Sequence, residues 1–133
     1  MIQILRLKGK LLSLNEYVNA ERTNRFAAAK LKKTETERVM WECRAQKIKK
    51  VSKIDEVYFL YYHDRRGDYD GYEFYQKFVW DGLKEAGIIP NDTQAFTPAI
   101  RLHKHFFSKE PRLIITLITY EGKSNNNKNM PRM

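Results

Sequence analysis

Residues 56–87, EVYFLYYHDRRGDYDGYEFYQKFVWDGLKEAG, decide the fold, because within one run the apolar pattern changes from that of a strand to that of a helix. The opening EVYFLYYH is short and dense in β-branched and aromatic side chains, the profile of a central strand. HDRRGDYDG then reads as a loop. From residue 72 to 86, Tyr75, Val79, Leu83 and Ala86 recur at helical spacing, joined by Phe74 and Phe78, and Gly87 is placed as a C-terminal cap. The spacing predicts a helix of about four turns.

Working outward, IQILRL (residues 2–7) predicts an edge strand that ends near Gly9. Residues 13–17, SLNEY, read as a turn. Asn24 can cap a helix through RFAAAKLKKTETERVMWECRAQKIKK, residues 25–50, whose composition favours helix. Its apolar stripe of Phe26, Ala27, Leu31, Val39 and Ala45 is imperfect, so the helix should be half exposed with its basic face available. Downstream, Pro90-Asn91-Asp92 is turn chemistry, AIRLHKHFF alternates weakly, and RLIITLITY has the look of a buried strand. The order strand, helix, strand, helix, strand, strand implies a single α+β domain over residues 1–121, a mixed four-stranded sheet with two main helices. Sheet order is left open. The Asn-rich stretch 122–133 predicts a disordered tail.

With 133 residues and 42% hydrophobic side chains the chain suits one globular domain, and 25 Lys and Arg against 16 Asp and Glu give it a net charge of +9. Such a charge points to a polyanionic partner, nucleic acid first. No stretch reaches the roughly 18 apolar residues of a membrane span, and the N-terminal sequence lacks a signal-peptide core, so a cytoplasmic protein is expected. One cysteine, Cys43, forms no internal disulfide and anchors no zinc site by itself. The charge is also segregated: residues 22–53 carry eleven basic and three acidic side chains, whereas residues 54–92 carry nine acidic and four basic ones. A basic segment to hold phosphates beside an acidic one to hold cations is the polarity of a metal-dependent nuclease, and chance clustering on a solvated surface is its plain alternative.

The sharpest local feature is Asp68-Tyr69-Asp70. In extended backbone, carboxylates at i and i+2 point to one side, where two hard oxygens bind magnesium or manganese. The same pair also serves as ordinary turn chemistry. A calcium loop of the EF-hand kind fails on register: with Gly71 at the invariant sixth position, Arg66 falls on the first ligand and Lys77 on the bidentate Glu. Glu73, Lys77 and Asp81 follow at i, i+4 spacing, so Lys77 either stabilises a phosphate transition state beside the metal or belongs to a surface ion-pair ladder. His103 and His105 share a strand face but lack a third and fourth zinc ligand, and read as an exposed face. His63 reads as a strand-end residue and Cys43 as a packed thiol.

Taken together, SLNEYVNAERTNRFAAAKLKK, HDRRGDYDG and KFVWDGLKEAGIIPND resemble the RusA family of Holliday junction resolvases, in the form carried by phages and prophages of Gram-positive bacteria. The resemblance spans roughly residues 1–120. It implies a RusA-like fold, metal-binding carboxylates at Asp68, Asp70 and Asp92, an essential lysine at Lys77, and magnesium, with manganese as substitute. It implies a homodimeric DNA endonuclease that cuts four-way junctions symmetrically during recombination, repair or phage DNA processing. Gly71 stands where the family usually has Asn, and Gly67 where some members have Arg. Phosphate contacts are expected from Arg22, Arg25, Lys30, Lys32, Lys33, Arg65 and Arg66, and the competing reading is a non-catalytic basic module or a nuclease of other branched DNA.

A helix over residues 72–87 carries the chain about 22 Å from the Asp68 loop at roughly 1.5 Å per residue. The five residues to Asp92 reach back at most about 17 Å. Asp92 is therefore expected to meet Asp68 and Asp70 of a second copy, with Phe74, Phe78 and Trp80 lining the interface.

Overall fold

In the computed structural model, which describes residues 1–120, the aromatic run forms β2, Glu56–His63, with Val57, Phe59, Tyr61 and His63 buried on one side of the pleat. β2 lies inside a four-stranded sheet of order β1-β4-β2-β3, built from β1 (Ile2–Lys8), β3 (Ile100–Phe107) and β4 (Arg112–Ile118). β4 pairs antiparallel with both neighbours, and β3 runs parallel to β2 in the register Phe59 with His103 and Tyr61 with His105. The mixed α+β sheet expected from the element order is present. β1 is an edge strand, as its sequence predicts, and Gly9 turns the chain after it at φ +77°.

The helices are α1 (Leu14–Thr23), α2 (Arg25–Ala45), α3 (Tyr69–Glu73) and α4 (Tyr75–Glu85). α1 replaces the turn expected at residues 13–17. Ser13 accepts from the Glu16 backbone N–H while the Glu16 carboxylate accepts from the Ser13 N–H, a reciprocal capping box. Asn24 caps α2 through Phe26 and Ala27, as expected, but the buried side of α2 is Ala28, Val39 and Cys43, and Phe26 is almost wholly in water. The helix foreseen over residues 72–86 is divided at Phe74 into α3 and α4.

The core lies between the helices and one sheet face, where Leu5, Leu7, Val57, Phe59, Tyr61, Leu113 and Ile115 meet Phe78, Val79, Leu83 and Val39. α2 crosses α4 at Gly82, so closely that a Cβ there would fall inside van der Waals contact of the Val39 side chain. Phe78 and Trp80 belong to this core and are not free for a partner, which corrects the interface expected from them. Among the described residues no helix covers the opposite sheet face. It carries Ile4, Tyr58, Thr116 and Leu102 in one register row and Ile2, Ile118 and Ile100 in another, none of them buried.

No helix of the described residues is long and apolar enough to cross a membrane. The expected tail, residues 122–133, lies outside the described residues.

Candidate active site

Asp68 and Asp70 sit where the chain leaves β2 for α3. Asp68 is the extended N-cap, and its Oδ1 accepts from the Asp70 backbone N–H at 3.1 Å. Asp70 is already in the first helical turn, so the extended geometry expected through both carboxylates is absent and they do not project to one side by strand alternation. Both are exposed. The Asn expected from the family at position 71 has room: a Cβ on buried Gly71 would stand 3.7 Å from Asp68 Oδ2 in ordinary contact. Gly67 is tighter, because a Cβ there would collide with the Tyr72 ring.

After α4, Gly87 takes φ +75° and the chain turns back, pinned by the Val51 N–H on the Ile88 carbonyl and by buried Ile88 and Ile89. This return brings Asp92 close enough to Asp81, one helical turn before the end of α4, for the two carboxyls to act on each other. Burial, then the Asp92 contact, raises the Asp81 carboxyl above the usual range, while Lys77 and Lys32 pull it down. Lys32 of α2 and Lys77 of α4 thus bear on the same carboxyl. Among the described residues no group of three or more His, Cys, Asp or Glu side chains converges to hold a metal ion.

Of the basic residues expected to meet phosphate, Arg22 lies in the last turn of α1, Arg25, Lys30, Lys32 and Lys33 belong to α2, and Arg65 and Arg66 lie between β2 and α3. Among the described residues, Arg22, Arg25, Lys30, Lys33 and Arg66 make no ion pair. Arg38 of the same helix is different, since its guanidinium donates to the Lys8 and Lys10 carbonyls and holds the end of β1.

The histidines depart from the reading of an exposed face. Glu73 leaves the expected ladder with Lys77 and Asp81 and accepts from His105 Nε2 at 2.6 Å. With that tautomer fixed, His105 Nδ1 accepts from His63 Nε2 at 2.9 Å, and Tyr61 bonds His103 Nδ1 at 2.8 Å. Burial and the neighbouring His105 lower the His63 pKa to about 4, so its ring is neutral near pH 7. Burial pushes the Cys43 thiol up to about 12, which leaves it a packed thiol. Ser13 and Asn15, read as turn residues, border a small cleft with Asp68 and Gly71. The missed signal was the Ser-x-x-Glu box that starts α1 beside that loop.

No model of a known protein family matches the chain, and no curated protein matches its sequence significantly.

Proposed function

We propose that the chain is a magnesium-dependent DNA endonuclease acting on branched DNA, four-way junctions first, as a homodimer. The observation that carries this reading is the exposed Asp68–Asp70 pair where the chain leaves β2, and Asp92, close to Asp81 with Lys77 and Lys32 near it, is the third carboxylate. Two adjacent carboxylates repel once both are ionised, and a bound divalent cation reverses that balance. The donor chemistry of Asp68, Asp70 and Asp92 fits such a cation, since all are hard carboxylate oxygens. Asp68 and Asp70 of one chain with Asp92 of its partner would hold it. When bound, magnesium polarises a scissile phosphate and lowers the pKa of coordinated water.

The remaining roles fall to the chain's own residues. Lys77 offers an exposed ammonium one turn before Asp81, suited to charge developing on phosphate. Arg22, Arg25, Lys30, Lys32 and Lys33 neutralise flanking phosphates without reading sequence. A two-fold pair of chains matches the two-fold of a four-way junction.

The test is a synthetic four-way junction incubated with the protein and magnesium. Paired nicks on opposite strands, absent with EDTA, support the reading. Nicks confined to flaps or forks would reduce it to a nuclease of other branched DNA, and binding without any cleavage would leave a basic DNA-binding module.

A further inference from the structure

A cavity of about 590 Å³ opens at the carboxyl ends of the parallel strands β2 and β3. Its volume lies in the range of about 300–1,000 Å³ found for ligand pockets. In open α/β sheets the outer ends of parallel strands are where ligands collect. His63, Arg65, Arg66, Tyr69, Phe106 and Phe107 line it, and among the described residues no acidic side chain does.

One wall is a fixed aromatic stack. The Tyr69 ring lies over His105 at 4.1 Å and 4°, and His105 lies over Tyr61 at 4.5 Å and 9°. His105 is locked edge-on by Glu73 and His63, and His63 rests on Tyr72 at 3.8 Å. The proposed hydrolysis uses none of these hydrogen bonds. Phe107, at the end of the edge strand β3, leaves 74% of its surface in water, and Phe106 and Tyr69 are also exposed. Large rings left in water around a cavity, with two guanidinium-bearing residues at its rim, match a planar anionic ligand. Asp64, next to Arg65 in the chain, is held by Lys10 at 2.8 Å, with Arg65 3.8 Å away, and Asp68 and Asp70 flank Tyr69 in sequence without lining the cavity.

We infer that this cavity takes an unpaired nucleobase of a DNA strand, stacked against Tyr69 and Phe107, with the adjoining phosphate on Arg65 and Arg66. Aromatic faces beside cationic side chains are how single strands are held, and stacking tolerates any base. Among the described residues no Asn, Gln, Asp or Glu lines the cavity, so stacking and phosphate contact carry the binding, with Arg65 and Arg66 the side chains that could also reach a base edge. The inference rests on the DNA-binding part of the proposed function and not on hydrolysis. Branched DNA supplies the ligand, because bases at a branch point are the ones free to leave the stack.

The test is run in EDTA, so that no cleavage occurs, with a duplex carrying one unpaired 2-aminopurine, the same duplex with that base paired, and free dAMP as competitor. The expected result is tighter binding of the unpaired probe with a change in its fluorescence. Phe107→Ala should weaken that binding about five- to a hundredfold while moving the paired duplex less than twofold. Tyr69→Ala should act in the same sense, and circular dichroism confirms that both variants fold. Wild-type affinity of both variants for the unpaired probe would overturn the site. Competition by dAMP at the concentration of the strand would overturn it as a strand site and make it a nucleotide pocket. Selective binding of the unpaired base by a protein that never cuts would sustain this site and sink the nuclease reading alone.

Discussion

The Asp92 carboxyl meets that of Asp81 and joins Asp68 and Asp70 in no three-donor group of the same chain. On the proposed reading the three carboxylates meet only between two copies, and this can be tested. Mixing an Asp70→Asn protein with an Asp92→Asn protein should restore one intact site per heterodimer and nick one strand of a four-way junction. If the subunits exchange, as read by a tag on one of them, and no nicking returns, the shared site fails.

Lys32 bears on Asp81 from α2, and Lys33 beside it is exposed and without an ion pair among the described residues. Phosphate contacts release counterions, so the double change Lys32→Glu and Lys33→Glu should weaken binding of every DNA form. It should also reduce the slope of log affinity against log salt by about 1 to 2. Titrations at several salt concentrations give that slope. An unchanged slope moves the phosphate-binding surface off this part of α2.

Gly82 inverts the usual helix rule. In an open helix Gly→Ala stabilises by about 1 kcal/mol. Here the added Cβ would press into Val39 and stand 3.1 Å from the Thr36 carbonyl oxygen, so overpacking of about 1–3 kcal/mol opposes the gain. Gly82→Ala should lower the midpoint of chemical denaturation. A raised midpoint would mean that α2 and α4 cross with more space than described.

His63 couples stability to pH. Its folded pKa, about 4, lies below the ordinary imidazole value of about 6.5, so the unfolded chain takes up the proton first as pH falls. The contribution is whole above about pH 6.5 and is lost progressively down to about pH 4, on the order of 2 kcal/mol. His103 is lowered by burial and adds to the same trend. Denaturation midpoints at pH 7 and pH 4.5 should differ less in His63→Gln than in the wild type. Equal differences would show that His63 is solvated or that the unfolded state holds it neutral.

The strands were legible in the sequence because their pattern is local: eight residues with alternate aromatic side chains bury every second one wherever they fold. α1 was not read because Ser13-Leu14-Asn15-Glu16 looks like turn chemistry until the reciprocal cap is recognised. Phe26 and Ala45 of α2 misled through period alone, since the helix crosses α4 at Gly82 and buries Ala28, Val39 and Cys43 instead. For the site, the sequence named Asp68, Asp70, Lys77 and Asp92 and the basic side chains of α2. The Asp81–Asp92 contact depends on how the chain returns after Gly87, and the His63–His105–Glu73 chain on the parallel register of β2 with β3. Both are tertiary facts that no period or motif encodes.

Asp70→Asn tests the central claim most directly, because removing a metal-binding carboxylate and removing a negative charge act in opposite directions on cleavage and on DNA binding. With magnesium and a synthetic four-way junction under single-turnover conditions, the variant should cut at least about a hundredfold more slowly, the equivalent of about 2.7 kcal/mol, while binding the junction as tightly as wild type or more so. Cleavage at the wild-type rate would contradict the metal assignment, and with it the nuclease reading built on these carboxylates.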